Sequence, residues 1–541
     1  ATATWSENKT GDLTITKNNA VIDGNAMTYT NGTITVSAAN VTIKNLKFGD
    51  KAALIVNTTG KFTLTGCTFT PVTVCDSETL KPVRTAVKLN VGEAVVTNNT
   101  FDGVTGGYYN AIEFGINGDG NNLSHATITG NTFNSAIQNN YFNFYNMTEG
   151  ATIDIESNHF LLANKGSNAI RISNFRNVSG VTFNVNNNEY TYANDSDESQ
   201  YEGFILLEDY SPKGDTVQDF SGITININNL TSPSNAKQLF YVYDDQDRII
   251  ARNQPIVKGD SSISKFCSAR IGDTYYASLA NAVADASTTN PDTIKLLKDT
   301  NESNIVLKKS GVLDLGGHTL DAGATNRWGL RVSNGIDVTI KNGTVKNAYS
   351  ALSIWGSNDS NNPTKVTVAE DVTFTESGYG IIFTGYSQEN DFTGKTGYAV
   401  LNFNGTITTE DGQCPIFVMG NLGDNADAAA AIGENGNQIN IGATARITSE
   451  EEGIVLNGMA KLSVLDGAVI TGSDAITMKR GYLNITGGTF TGTGDKHIPT
   501  DAEHSGAEQS GSAITVSSTY NYSGLIDVRI SGGTFNSTNS Y

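Results

Sequence analysis

The stretch "HATITGNTF", His125 to Phe133, keeps returning along the chain: "KFTLTGCTF" ends at Phe69, "AVVTNNTF" at Phe101, "ATIDIESNHF" at Phe160, "VTFNVNNNEY" at Tyr190, "YLNITGGTF" at Phe490 and "DVRISGGTF" at Phe535. A unit this short cannot bury an apolar face alone, whereas stacked copies can. The recurrence therefore constrains the fold more than any single residue does.

Aligned on the closing aromatic, the position five before it holds Leu64, Val96, Ile128, Ile155, Val185, Ile485 and Ile530. The position seven before it holds Phe62, Ala94, Ala126, Ile153, Phe183, Leu483 and Val528, with mostly polar residues between. That is the period-two pattern of a short strand with one buried face. Two before the aromatic stand Cys67, Asn99, Asn131, Asn158, Asn188, Gly488 and Gly533, preceded by Gly66, Asn98, Gly130, Ser157, Asn187, Gly487 and Gly532. These residue types tolerate left-handed backbone and predict a corner, after which the aromatic turns back inward.

A second alternating strand follows in most units, as in "TAVKLNVG" at Thr85, "NAIEFGING" at Asn110, "NAIRISN" at Asn168, "WGLRVSNG" at Trp328 and "DAITMKRG" at Asp474. Ile112 with Phe114, Ile170 with Ile172, Leu330 with Val332 and Ile476 with Met478 are expected to face inward. Glu113, Arg171, Arg331 and Thr477 are expected outside. From Phe69 to Phe101 and on to Phe133 is 32 residues each, then 27 to Phe160 and 30 to Tyr190. A coil of several short strands with variable loops fits these intervals. Parallel stacking would set the Asn positions above one another as a ladder of side-chain amides. A β-sandwich needs no such fixed corner. The predicted fold is all-β, a parallel β-helix solenoid.

Between about Tyr241 and Asp299 the rhythm breaks. In "YYASLANAVADASTTNPDTIKLLKD" the apolar spacing predicts one short helix, Ser278 to Ala286, followed by a strand from Asp292. The pattern resumes at "GVLDLGGHTLD" and "VTIKNGTV", much as "VTIKNLKF" opens the first half. This predicts two β-helices in tandem, residues 1–255 and 301–541, joined by a 256–300 junction whose helix covers the open end of a coil.

Bulk properties exclude some functions. With 55 acidic and 35 basic residues the net charge is -20, which disfavours nucleic acid and polyanionic substrates. No run approaches the roughly 18 apolar residues of a membrane span, so no membrane insertion is expected. The first residue is Ala1 rather than Met, which fits a mature segment of a longer secreted chain. The four cysteines make no CxxC pair, so zinc is not expected. Cys67 and Cys75 either bridge or stand as small buried residues.

Chemistry is sparse. The only "DD", Asp244 with Asp245, sits in a polar stretch, and of the five histidines His159 and His318 are expected to be structural because they occupy repeat positions. His497 and His504, with Asp501 and Glu503 between them, offer a weak metal set. "NDSDESQYEG" opens like a Ca²⁺ loop with Asp195 and Asp197, but has Gln200 where Gly is needed and Leu206 where Glu is needed. A structural Ca²⁺ there is left open, and no cofactor and no catalytic residue are assigned. Arg171 and Lys88 are the candidates for a lone general base. The aromatic-rich loops are the favoured ligand site: Tyr108 and Tyr109, then Tyr141, Phe142 and Tyr145 one coil later, in Asn-rich surroundings. Alternation buries only half of such a run, which leaves an exposed patch to stack on a sugar or anchor a protein. The competing expectation is that these rings pack at coil corners.

On these motifs the chain resembles the right-handed parallel β-helix superfamily, the pectate-lyase-like fold, over most of its length. The segment Arg270 to Asp321 resembles large secreted surface proteins of Gram-positive gut bacteria. That resemblance implies a monomeric adhesin at the cell surface or secreted, binding a host protein or glycoprotein such as mucin, or immunoglobulin in the manner of B-cell superantigens. Lyases and hydrolases of this fold imply the alternative, cleavage of a long glycan. Their carboxylate sets have no match in the repeats here.

Overall fold

The computed structural model describes residues 2–539 apart from 116–121, 164–165, 175, 194–202, 210–217, 245–253, 287–291, 325–326, 334, 385–396, 410–412, 420–432, 496–508 and 517–525. By internal contacts the chain divides into two units, Ala1–Cys267 with Asp273–Ala277, and Ser268–Gly272 with Ser278–Tyr541.

In the first unit each full coil contributes one strand to each of three parallel sheets. The first sheet carries the alternating motif, with Phe62 paired to Ala94, Ala126 and Ile153, and Leu64 to Val96, Ile128 and Ile155. All eight are buried. The second sheet is formed by the short strands that end in the motif aromatic, Phe48, Phe69, Phe101, Phe133 and Phe160 in one register. Their rings stack nearly parallel along the axis, with centroids 4.6, 4.3, 4.7 and 5.3 Å apart. Such spacings are the coil repeat itself, since neighbouring parallel strands lie about 4.8 Å apart. The third sheet has nine strands, among them Thr85–Asn90, Asn110–Phe114, Asn140–Phe144, Asn168–Ile172 and Ile205–Asp209.

Corners follow the residue types. Gly66, Asn98, Gly130, Ser157 and Asn187 all have φ between 55° and 68°. In the last coils the left-handed residue is one later, Gly488 and Gly533 rather than Gly487 and Gly532. The asparagine ladder is present and buried: Asn99 Nδ2 donates to Asn131 Oδ1 at 2.9 Å, Asn131 to Asn158 at 2.9 Å and Asn158 to Asn188 at 3.0 Å. Cys67 occupies the ladder slot before Asn99 and gives it its backbone N–H. All four cysteines are free and buried, so Cys67 is the small core residue rather than half of a bridge. Burial pushes its thiol up to about 12.

The second unit repeats the three-strand parallel coil. Its strands Ile305–Leu307, Trp328–Val332, Ser350–Trp355, Tyr379–Thr384, Ile416–Val418, Ile454–Leu456, Ile476–Met478 and Ile514–Val516 form one eight-stranded sheet. The expected helix is Leu279–Asp285, its first turn capped by the Ser278 hydroxyl. The Glu302 carboxylate also accepts from the Leu279 and Ala280 N–H groups, and the helix packs on the first coil of this unit. A 3₁₀ helix at Ser261–Phe266, with no periodic signal to announce it, stands at the end of the first unit's coils. No helix among the described residues is long and apolar enough to cross a membrane.

Candidate functional site

With Ile112, Phe114, Ile170 and Ile172 turned inward, the alternate residue of each strand in the third sheet of the first unit points away from the core. Register sets Lys88, Glu113, Asn143 and Arg171 on four successive rungs, so one polar row runs along the solenoid axis. Outward does not mean exposed. Glu113 and Arg171 are 7% exposed and Asn143 is fully enclosed, whereas the Lys88 side chain keeps 44% of its surface.

Each charge in the row is answered. Glu113 Oε1 accepts from the Thr85 hydroxyl at 2.7 Å and Asn110 Nδ2 at 3.0 Å, while Oε2 lies 3.8 Å from Lys88 Nζ. Arg171 is ion-paired with Glu208, which is itself buried. Its guanidinium carbon lies 5.4 Å from the centre of the Tyr145 ring, and Nη1 donates to the Tyr145 hydroxyl at 3.4 Å. Burial raises the Tyr145 hydroxyl above its ordinary value, although the Arg171 charge opposes the shift, so it stays a proton donor. The exception is Asn143: neither its Oδ1 nor its Nδ2 has a hydrogen-bond partner. A buried amide with both groups unpaired costs about 1–3 kcal/mol. It offers a donor and an acceptor side by side between a carboxylate and a guanidinium.

The aromatic residues singled out from sequence do not form an exposed patch. Tyr108 is buried beside Phe69, its hydroxyl donating to the Ala52 carbonyl at 3.0 Å. Tyr141 and Phe142 are buried edge-on against Phe133 and Phe160, and the Tyr141 hydroxyl donates to the Leu161 carbonyl. Tyr145 is 7% exposed, and Tyr109 is half-buried. The physical reason is that ordered corners supply carbonyl acceptors for the hydroxyls, so the rings can pack down and thicken the aromatic stack. Of the five, Tyr145 belongs to the polar row, through Arg171.

Among the histidines, His125 bonds Thr127, His159 faces Glu189 at 3.5 Å and His318 faces Asp299 at 3.6 Å. Asp245, residues 194–202 of the Asp195 loop, and His497 and His504 lie outside the described residues. Among the described residues no three of His, Cys, Asp and Glu are close enough to hold a metal ion. Asn143 and Glu208 escaped the sequence reading. The usable signal was the outward column of the second strand, Lys88, Glu113, Asn143 and Arg171, which appears once the repeats are aligned on that strand rather than on the motif aromatic.

No family model matches the chain, and no curated protein matches it. Among solved structures, a mutant of the PL6 family alginate lyase AlyGC aligns at 10% identity over 97% of this chain and all of that one, with a TM-score of 0.17. The lyase itself aligns at 11% identity over the same shares, with a TM-score of 0.13.

Proposed function

We propose that the chain is a binding protein whose first unit engages an extended, hydroxyl-rich ligand, a glycan or glycoprotein chain, along the polar row of its third sheet. The observation that carries this is Asn143, an enclosed amide of which neither the oxygen nor the nitrogen is hydrogen-bonded. Natural folds retain such a cost at functional sites more often than in scaffold. The row is open to solvent at the Lys88 end, so a ligand that reaches Asn143 must displace what covers Glu113 and Asn143. Within this class the resemblance of Arg270–Asp321 to Gram-positive surface proteins supports a host glycoprotein such as mucin, or immunoglobulin, bound at the cell surface or after secretion by a monomer without a cofactor.

Glycan cleavage is the second reading, favoured by one observation: Lys88 and Arg171 share one row, where the Lys88 amine in its neutral form could take a proton and the Arg171 guanidinium neutralise a sugar acid. Against it stands the engagement of Glu113 and Arg171 in side-chain pairs, together with the acidic net charge. The test is retention of mucin glycopeptide and of immunoglobulin by the immobilised chain and by its Asn143→Ala variant, with newly formed unsaturated or reducing sugar ends assayed in parallel on mucin and alginate. Retention lost in Asn143→Ala supports the reading. Equal retention by both chains, or released ends with nothing retained, overturns it.

A further inference from the structure

The outer face of the eight-stranded sheet in the second unit carries a different surface. Arg331, Ser353, Ile382 and Phe417 follow one another on successive rungs, and Trp328, Ser350 and Tyr379 form a parallel row three residues earlier; Ser350, Ser353 and Ile382 are buried, and the rings and Arg331 supply the accessible part. Tyr349 projects from the corner beside them. The ring centroids run Trp328 to Tyr349 at 4.9 Å, Tyr349 to Tyr379 at 5.5 Å and Tyr379 to Phe417 at 5.4 Å, with interplanar angles of 70°, 67° and 40°. Four rings thus step along the axis by about one coil each. None of them is buried, and Tyr349 is 39% exposed.

Arg331 links this run to a further indole. Its guanidinium carbon lies 5.8 Å from the Trp328 ring centre and 4.5 Å from that of Trp355, whose Nε1–H is fixed by the Ser353 hydroxyl at 3.0 Å. Two of the three tryptophans in the chain therefore flank one cation. Edge-to-face packing stabilises such rings by about 0.5–1.5 kcal/mol per pair. It does not account for a line of partly exposed aromatics crossing four coils, because water contact with each remaining ring surface is unfavourable.

We infer that this strip, Trp328, Tyr349, Tyr379 and Phe417 with Arg331 and Trp355 beside it, is a second binding site, for a neutral pyranose oligosaccharide. The apolar C–H groups of successive sugar rings pack against aromatic faces and edges that recur at about the coil repeat. The hydroxyl edges take hydrogen bonds from the tyrosine hydroxyls and from guanidinium N–H groups, which lie in the Arg331 plane. Charge selects the neutral class: a polyanion meets long-range repulsion from a chain of net charge -20, and a neutral sugar chain does not. The assignment does not rest on the Asn143 row, which belongs to the other unit.

Tryptophan emission reads this site directly. The full chain is titrated with cellohexaose, xylohexaose and mannohexaose, and with oligogalacturonate as the charged comparison. The expected result is a saturable emission change with at least one neutral hexasaccharide, kept in Trp5→Phe, and weakened about tenfold, or 1.4 kcal/mol, in Tyr349→Ala. Tyr349 is exposed, so its truncation leaves the fold intact, which far-ultraviolet dichroism checks. No change with any neutral hexasaccharide at millimolar concentration overturns the assignment. So does a response confined to oligogalacturonate, or equal binding by Tyr349→Ala and the parent.

Discussion

Asn131 and Asn143 are the same residue type, both fully buried and both in the first unit, yet truncating them should move stability in opposite directions. Asn131 Oδ1 accepts the backbone N–H of Asn99 at 3.0 Å and its Nδ2 at 2.9 Å, while its own Nδ2 donates to Asn158 Oδ1 and to the Val96 carbonyl, each at 2.9 Å. In Asn131→Ala two donors of Asn99 lose their acceptor. Asn158 Oδ1 still accepts from the residue 131 backbone N–H, a bond of 2.9 Å, so it is not orphaned. At about 1–3 kcal/mol for each stranded donor, the loss is about 2–6 kcal/mol. In Asn143→Leu nothing is stranded, because neither polar atom had a partner, and an unpaired amide worth about 1–3 kcal/mol of penalty is replaced by hydrocarbon of similar shape. That variant should be as stable as the parent or more so, and should lose its ligand. Urea unfolding read by dichroism measures both, with amide exchange of neighbouring coils alongside because long repeat arrays unfold in parts. Asn228→Ala, on the exposed ladder to Asn186, is the control and should cost under about 0.5 kcal/mol. If Asn131→Ala costs no more than Asn228→Ala, or if Asn143→Leu costs as much as Asn131→Ala, the hydrogen-bond accounting is wrong.

The same accounting reaches other positions. Cys67→Asn extends the buried ladder by one rung toward Asn99 and should raise the urea midpoint, by about 1 kcal/mol of stability. Phe133→Ala opens the aromatic stack between Phe101 and Phe160 and removes edge contacts with Tyr141 and Phe142, at a cost of about 3–5 kcal/mol in the same assay. Glu208→Gln leaves the Arg171 charge buried without its counter-charge and should cost about 3–5 kcal/mol, while Arg171→Met with Glu208→Leu should come close to neutral. Lys479 is fully buried, and desolvation lowers its amine to about 8 from 10.5, with Glu452 opposing. Between those two values the unfolded chain holds a proton that the folded chain has released. Stability should therefore climb as pH rises across that window, and Lys479→Met should flatten the climb in a series of unfolding curves.

What the sequence disclosed follows from which interactions repeat. Parallel stacking puts equivalent residues in contact, so one buried position is written many times: Ile128 above Val96, Phe133 above Phe101, Asn131 above Asn99. The corner at Gly130 was legible for the same reason. Its φ is 68°, and a Cβ there would lie 2.6 Å from Asn98 Oδ1, so both the backbone and the neighbouring rung restrict the residue. The outer face obeys no such rule. Alternation correctly turned Glu113, Arg171 and Thr477 away from the core but said nothing of what covers them, and all three are buried. The tyrosines failed in the opposite sense, since Tyr108 and Tyr141 found backbone carbonyls a coil or more away for their hydroxyls. An outward column is under no pressure to stay uniform, and its departures carry the information. In the first unit the column runs Lys, Glu, Asn, Arg and closes over a polar row. In the second it runs Arg, Ser, Ile, Phe beside an aromatic strip. Built on the same coil plan, the two units differ outside, so the two proposed sites should fill independently of one another. Ligands that compete with one another for a single site would contradict that reading.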